Sequence, residues 1–416
     1  MKRIHYGWVI CCTCTLLIFV TMGTASNGLS IFMPYIMDSY GLSNTQTSFL
    51  VTLRCAFAFA SMLVVGRYYK WIGYRLGTGI AAMCCGCAYL IYWLATGYVQ
   101  ICIGASMAGI SYGLGSMIPV SILINKWFVR HKALAVGICV SGSGLAVVVL
   151  PPVLTGLILK FSLKAAFLVT ACGVCLSALL VLLLIRTEPA EKGLLPLGQE
   201  DETAAAPERD GKKSRNSSRR ITRRGWILTA AACTIMGALA NPGFVHLSVL
   251  YTSEGFSPMT VAMLISICGF VLMTGKLICG EAADVLGGFK ATMLFFGILT
   301  AGNAMCCLAF TGSTILAVVA VFLFGIGSPV CTVGIPVWAG DLDSNERYAD
   351  NVRHMQLIYA AGAMIFASLP GVIADALGSY IPYYGIFAVL TATAAVCMAL
   401  VYNDRSSLTD ADVSLK

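Results

Sequence analysis

Apolar residues along this chain gather into long blocks parted by short polar turns, and one polar stretch is far longer than the rest. About 20 apolar residues suffice to cross a bilayer as a helix, so each block predicts a membrane span. Six blocks precede the long polar stretch, roughly 7–37, 44–68, 75–96, 98–124, 132–159 and 164–186. Six follow it, roughly 225–252, 258–280, 290–311, 313–339, 350–376 and 380–402. Turn formers fill the connections (Gly41, Gly73, Gly97, Gly255, Gly287, Gly312), and prolines inside blocks, such as Pro34, Pro151 and Pro242, predict kinks. The long polar stretch, Arg186 to Arg224, is acidic first and basic at its end. It has too little apolar surface to fold, which predicts a disordered linker. The expected organisation is an N-terminal six-helix bundle over 1–186, a cytoplasmic linker over 187–224, a C-terminal six-helix bundle over 225–403 and a polar tail over 404–416. The fold class is an all-α membrane protein with 12 transmembrane helices in two six-helix halves.

Composition sharpens this. The 416 residues are 58% hydrophobic and 11% charged, against roughly 25% charged in a soluble domain. The net charge of +8 is therefore a matter of topology and predicts no nucleic-acid partner. Two of the 27 Lys and Arg residues, Lys160 and Lys164, fall in loops on one side, and Arg54 and Lys276 fall inside spans. The other 23 fall on the opposite side, which the positive-inside rule makes cytoplasmic, together with both termini and the linker. Lys2-Arg3 before an apolar run imitates a secretory signal, but the run resumes to about Met37, too long for one. The 18 cysteines all lie in apolar segments. Three pairs have CxxC spacing (Cys11/Cys14, Cys84/Cys87, Cys172/Cys175) with no His or Asp near in sequence, so they read as small packing residues and no metal is expected.

The halves repeat. Met22-Gly23 to Asn27 recurs as Met236-Gly237 to Asn241, and Gly66 to Gly73 as Gly280 to Gly287, both 214 positions on. Gly113-Leu-Gly-Ser116 recurs as Gly325-Ile-Gly-Ser328. A parallel repeat of six spans plus six resembles the major facilitator superfamily. The stretch Gly66-Arg-Tyr-Tyr-Lys70-Trp-Ile-Gly73-Tyr-Arg75 resembles that superfamily's loop signature, with Lys70 where an acid is usual; the second copy, Gly280 to Gly287, keeps the acid as Asp284. The resemblance implies an inside gate at Gly66, Lys70, Gly73, Arg75, Gly280, Asp284 and Gly287. His5-Tyr6-Gly7-Trp8, Asn125-Lys126-Trp127-Phe128 and Ser141-Gly142-Ser143-Gly144 are similar to the monocarboxylate-porter and oxalate/formate-exchanger branch. That branch carries a cation four residues before the span-eight loop glycine, which here is Lys276 before Gly280. Its monocarboxylate members add an Asp one turn earlier, where this chain has Leu272, and its oxalate members add a span-eleven Lys that this chain lacks after Arg353.

Arg54 lies 12 residues before Gly66, about 18 Å along a helix. A central Arg costs about 2.5–3.5 kcal/mol on insertion scales, so something must offset it: a substrate, or backbone carbonyls in a structural role. Lys276 is nearer its helix end, where its stem could snorkel. No Asp or Glu sits deep in any span, so a cavity with these cations would attract anions. His246, Asn27 and Asn241 are further substrate-binding candidates; helix-to-helix hydrogen bonding is the alternative for each. Gly109-Ile-Ser111-Tyr-Gly113 has nucleophile-elbow spacing but lies in an apolar helix with no strand before it, and close helix packing explains it better. Gly269 to Lys276 misses the phosphate-loop spacing by one residue.

The expectation is a secondary transporter of small organic anions, a monocarboxylate or short dicarboxylate, rocking two halves to give alternating access. It would be a monomeric antiporter or uniporter in the plasma or inner membrane, not an enzyme, with no cofactor and with membrane lipids as partners. The alternatives are a superfamily transporter of a different small solute and a non-transporting membrane sensor of the same fold.

Overall fold

The structure, a computed structural model, describes residues 5–129, 132–198, 221–342 and 347–414. Lys2-Arg3, the Arg130-His131 pair and the basic cluster from Arg209 to Arg220 lie outside the described residues.

Among the described residues, twelve helices are long and apolar enough to cross a membrane. Spans 1 to 6 are Tyr6–Tyr40, Asn44–Ile72, Tyr74–Leu94, Tyr98–Trp127, Ala135–Lys160 and Leu163–Leu184. Spans 7 to 12 are Arg223–Ser253, Pro258–Leu286, Gly288–Thr311, Thr314–Leu342, Asp350–Leu377 and Ile381–Asp404. The protein is thus an all-α, multi-pass membrane protein. Its burial pattern fits lipid as the solvent. Leu63, Val64, Leu176 and Leu277 are exposed, while Thr13, Thr21, Thr24, Ser26 and Thr229 are buried. In hydrocarbon, apolar side chains gain nothing by turning inward, and close approach at small residues with interhelical hydrogen bonds holds helices together.

Spans 2 and 8 run further than the apolar pattern predicts, to Ile72 and Leu286. Gly66 and Gly280 are therefore helical, and the stretch that reads as a loop is the polar end of a helix. Each helix stops at a single glycine. Gly73 has φ 80° and ψ 165°, and Gly287 has φ 83° and ψ 152°, a region open in practice to glycine alone.

The chain divides into two compact units, Met1–Leu42 with Leu53–Asp210, and Ser43–Thr52 with Gly211–Lys416. The second unit thus takes in the first turns of span 2. Inside the first unit, span 3 packs on spans 4 and 6, and span 1 on spans 5 and 6; inside the second, span 9 packs on spans 10 and 12, and span 7 on spans 11 and 12. One pairing scheme is used twice. Gly23 of span 1 leaves no room for a Cβ beside Ala146 of span 5, and Gly237 of span 7 none beside the Tyr359 carbonyl of span 11. Spans 4 and 10 are broken at matching places, Gly115-Ser116 and Ser328-Pro329. Thr21 Oγ1 donates to the carbonyl of Gly115 at 2.7 Å, satisfying a group the break would strand.

The start of the polar stretch is folded, contrary to its composition. Pro189–Lys192 forms a 3-10 turn. Leu197 N–H donates to Trp127 O at 2.9 Å, Val129 N–H donates to Leu197 O at 3.0 Å, and Lys126 pairs with Glu188 at 3.0 Å. A short apolar strip, Leu194 to Leu197, lets this segment dock where the acidic residues alone could not. At the other end, the expected tail continues the last helix to Ser414.

Candidate functional site

Span 1 loses its α geometry at mid-length. Phe19–Asn27 winds as a π-helix, a form that occurs mostly as short bulges at functional positions. Thr24 Oγ1 donates to Phe19 O, five residues back, at 3.2 Å, and Tyr89 Oη donates to Thr24 O at 3.0 Å. The wider turn carries Ser26, which is buried.

Ser26 meets Arg54. The guanidinium is 1% exposed; its Nη1 donates to Ser26 Oγ at 2.9 Å and its Nη2 to Cys55 Sγ at 3.4 Å. Its Cζ lies 5.8 Å from the centroid of the Tyr112 ring, within reach of a cation–π attraction. Glycine spacing in span 4 puts Tyr112 there. A Cβ at Gly109 would collide with the Arg54 carbonyl oxygen, and one at Gly113 would press on Ala58 O and Ser61. The Gly109-to-Gly113 pattern thus serves close helix contact. Ser26, Cys55 and Tyr112 are all neutral groups, and these contacts orient the charge.

Lys276 sits differently, within the second unit. It is half-buried on span 8, and among the described residues its ammonium makes no hydrogen bond or ion pair. Gly275 beside it packs on span 10, where a Cβ would lie 3.1 Å from Pro329 and 3.3 Å from Ile326. Asn27 and Asn241 are both half-buried. His246 is fully buried. Its Nδ1 faces Pro242 O at 2.8 Å and its Nε2 faces Ser48 Oγ at 2.7 Å. A carbonyl can only accept, so Nδ1 carries a proton, and Nε2 shares a hydrogen bond with the Ser48 hydroxyl. Both ring nitrogens are thus used.

Ser43–Thr52 belongs to the second unit through contacts with residues more than 300 positions away. Asp375, at the end of span 11, accepts from Asn44 N at 3.1 Å, Asn44 Nδ2 at 2.8 Å and Thr45 N at 2.8 Å. Tyr380 Oη donates to Asn44 Oδ1 at 2.8 Å. A carboxylate here caps the orphan amides that open the span-2 helix. A Cβ at Gly371 would collide with Asn44 O and Ser48 Oγ, so glycine permits this approach.

A family comparison settles the class. The Major Facilitator Superfamily pattern matches residues 15–351. This chain belongs to that superfamily. It is a transporter, not an enzyme. Among relatives, it is 23% identical over 401 residues to monocarboxylate transporter 12 of Rattus norvegicus, covering 90% of this chain and 81% of that one. It is 23% identical over 290 residues to monocarboxylate transporter 4 of Gallus gallus, covering 67% of this chain and 58% of that one. Among solved structures, a nucleoside transporter superposes with TM-score 0.74 at 12% identity, over 94% of this chain and 100% of the other. A D-xylose-proton symporter gives 0.71 at 15%, over 94% and 96%. Those likenesses carry the fold alone.

The stretches that resemble the monocarboxylate branch pack on one another in the first unit. Trp8 meets Phe128 edge-on at 5.3 Å between centroids, and Tyr6 meets Trp127 at 5.5 Å. Trp127 Nε1 donates to Arg186 O at 2.9 Å, and Tyr6 Oη to Leu184 O at 2.8 Å. The superfamily's signature residues divide. Arg75 Nε donates to Leu182 O at 2.9 Å. Lys70 and Asp284 are exposed, and among the described residues neither has an ion pair or hydrogen bond. Gly66 and Gly280 have open space where a Cβ would go.

Proposed function

We propose that this superfamily member moves small organic anions, monocarboxylates or short dicarboxylates, by alternating access of its two halves, with Arg54 and Lys276 receiving the carboxylate. The observation that carries the reading is Arg54: a 1% exposed guanidinium held by a hydroxyl, a thiol and an aromatic face. No Asp or Glu lies deep in any span. A deeply buried cation among such groups suits a cargo of opposite sign. The names of the monocarboxylate-transporter relatives point to the same class. Asn27, Asn241 and His246 would line the same path. The seven signature positions, Gly66 to Arg75 and Gly280 to Gly287, would form the inside gate. The basic loops would lie in the cytoplasm with both termini, in the cell's plasma or inner membrane.

Coupling follows from what is missing. Leu272 stands where the monocarboxylate branch has its Asp, and both nitrogens of His246 are engaged. Exchange or uniport is therefore expected instead of tight proton symport. The test is counterflow in proteoliposomes with a panel of carboxylates, a sugar and a nucleoside. Carboxylate exchange without stoichiometric proton movement supports the reading. Counterflow of the sugar or nucleoside alone would refute the anion, and proton influx surviving His246→Ala would refute the coupling.

A further inference from the structure

We infer that a groove at the end of spans 3 and 6 in the first unit binds the headgroup of an anionic phospholipid. The groove has a volume of about 580 Å³, and Ile72, Arg75, Leu76, Leu182, Leu183 and Thr187 line it. One wall is apolar and open: Leu76 is 57% and Leu183 53% exposed, and the neighbouring Trp71 is 87% exposed. In a membrane protein, such a wall lies against acyl chains, and an exposed Trp marks the interfacial level.

The other wall carries Arg75, and Arg186 precedes the lining residue Thr187 in the chain. Arg75 Nε donates to Leu182 O at 2.9 Å, and Arg186 Nη1 donates to Leu183 O and Ile185 O, each at 2.9 Å. Both guanidinium groups are thus tied to the last turn of span 6, whose carbonyls have no helical partners of their own. Arg75 spends only its Nε there, and its side chain is exposed. Of the nearby acids, Glu188 is engaged by Lys126 at 3.0 Å, and Glu191 Oε1 accepts from Thr187 N at 2.9 Å and Glu188 N at 3.1 Å. Two anchored forks beside an acyl-accessible wall suit a phosphodiester with a tail attached. A choline headgroup brings its own cation, which the pair of arginines would repel, so a headgroup of net negative charge is preferred. The inference rests on the chain spanning a membrane and is independent of the cargo.

The purified full chain, titrated with phosphatidylglycerol or phosphatidylcholine and followed by native mass spectrometry, tests it. Phosphatidylglycerol should be retained over phosphatidylcholine, and Arg75→Gln with Arg186→Gln should lower that retention on the order of tenfold. Lys160→Gln, at the last residue of span 5, should leave it unchanged. Should the double variant fail to fold, the parent chain serves. Phosphatidylglycerol with brominated acyl chains should quench more fluorescence than its phosphatidylcholine counterpart, and Trp71→Phe should abolish the difference. Equal retention of the two lipids, retention unaffected in a folded double variant, or displacement by inorganic phosphate would overturn the proposal.

Discussion

Arg54 and Lys276 are both cations inside membrane spans, yet they are kept in opposite ways. Arg54 is enclosed by three named groups from spans 1, 2 and 4, and it needs a π segment and a close glycine crossing to be so enclosed. Lys276 is half-buried with no partner among the described residues. They are not repeat mates either. The register that pairs Gly66 with Gly280 sets Cys268 opposite Arg54 and Met62 opposite Lys276. Measured from those glycines, Arg54 lies eight residues deeper in its own helix, about 12 Å at the α-helical rise. The two units thus share a scaffold but not the position of their charge, which is held by named neighbours in one and has no partner among the described residues in the other.

That contrast predicts different failures. Arg54→Gln should weaken substrate affinity roughly ten- to a hundredfold, the worth of about 1.5–3 kcal/mol for a charge-assisted contact. It should also lower the unfolding temperature, because Ser26 and Tyr112 lose the group they are arranged around. Lys276→Gln should cost comparable affinity and leave the unfolding temperature nearly unchanged. Arg54→Lys keeps the charge but not the planar fork, and should fall between parent and Arg54→Gln. Binding by Arg54→Gln equal to that of the parent would make Arg54 structural and remove the main support for an anion.

The crossings beneath the charges give the next largest effect. Gly113 approaches the Ala58 carbonyl, and its repeat mate Gly325 approaches the Cys268 carbonyl, one turn away in the register. Gly113→Leu and Gly325→Leu should therefore destabilise alike, by about 1–3 kcal/mol for overpacking. Gly109→Leu strikes the Arg54 carbonyl itself and should add a loss of substrate affinity that Gly325→Leu does not show. Chemical denaturation and ligand-binding isotherms on the same preparations would separate the two effects. Equal affinity loss in both would mean that the first unit's crossing has no special tie to binding.

How far these features could be read in the sequence depended on their range. Spans follow from local apolar runs, and all twelve lie within a few residues of the pattern, the exceptions being the extended ends at Ile72 and Leu286. There the polarity of the signature masks a helix that continues past the apolar run. Arg54 was legible because a deep charge is costly wherever it is found. Its holder, Ser26, was not, since a π turn has no composition of its own, though the small residues from Gly23 to Ser26 are what such a turn tolerates. The docking of Leu197 on Trp127 and the capping of span 2 by Asp375 join residues far apart in the chain. No periodicity encodes such pairs. The linker failed at its start for that reason: composition reads a segment's own surface and misses the surface waiting for it.

The smallest expected effect is the one that best separates shape from gating. Gly73 and Gly287 have positive φ with no atom within 4 Å of an added Cβ, so alanine there meets only a backbone penalty. Gly73→Ala and Gly287→Ala should each cost about 1 kcal/mol, equally in the two halves. Gly66 and Gly280 are helical and have open space around them. Alanine is the better helix former by about 1 kcal/mol, so Gly66→Ala and Gly280→Ala should stabilise the protein. If the two glycines serve an inside gate, the stabilised variants should nonetheless transport more slowly, because a state that closes on those positions would have no room for the methyl group. Thermal unfolding beside proteoliposome exchange rates reads both quantities. Variants that gain stability and keep the full exchange rate would show that neither glycine takes part in gating, and that the signature's work is done at Gly73 and Gly287.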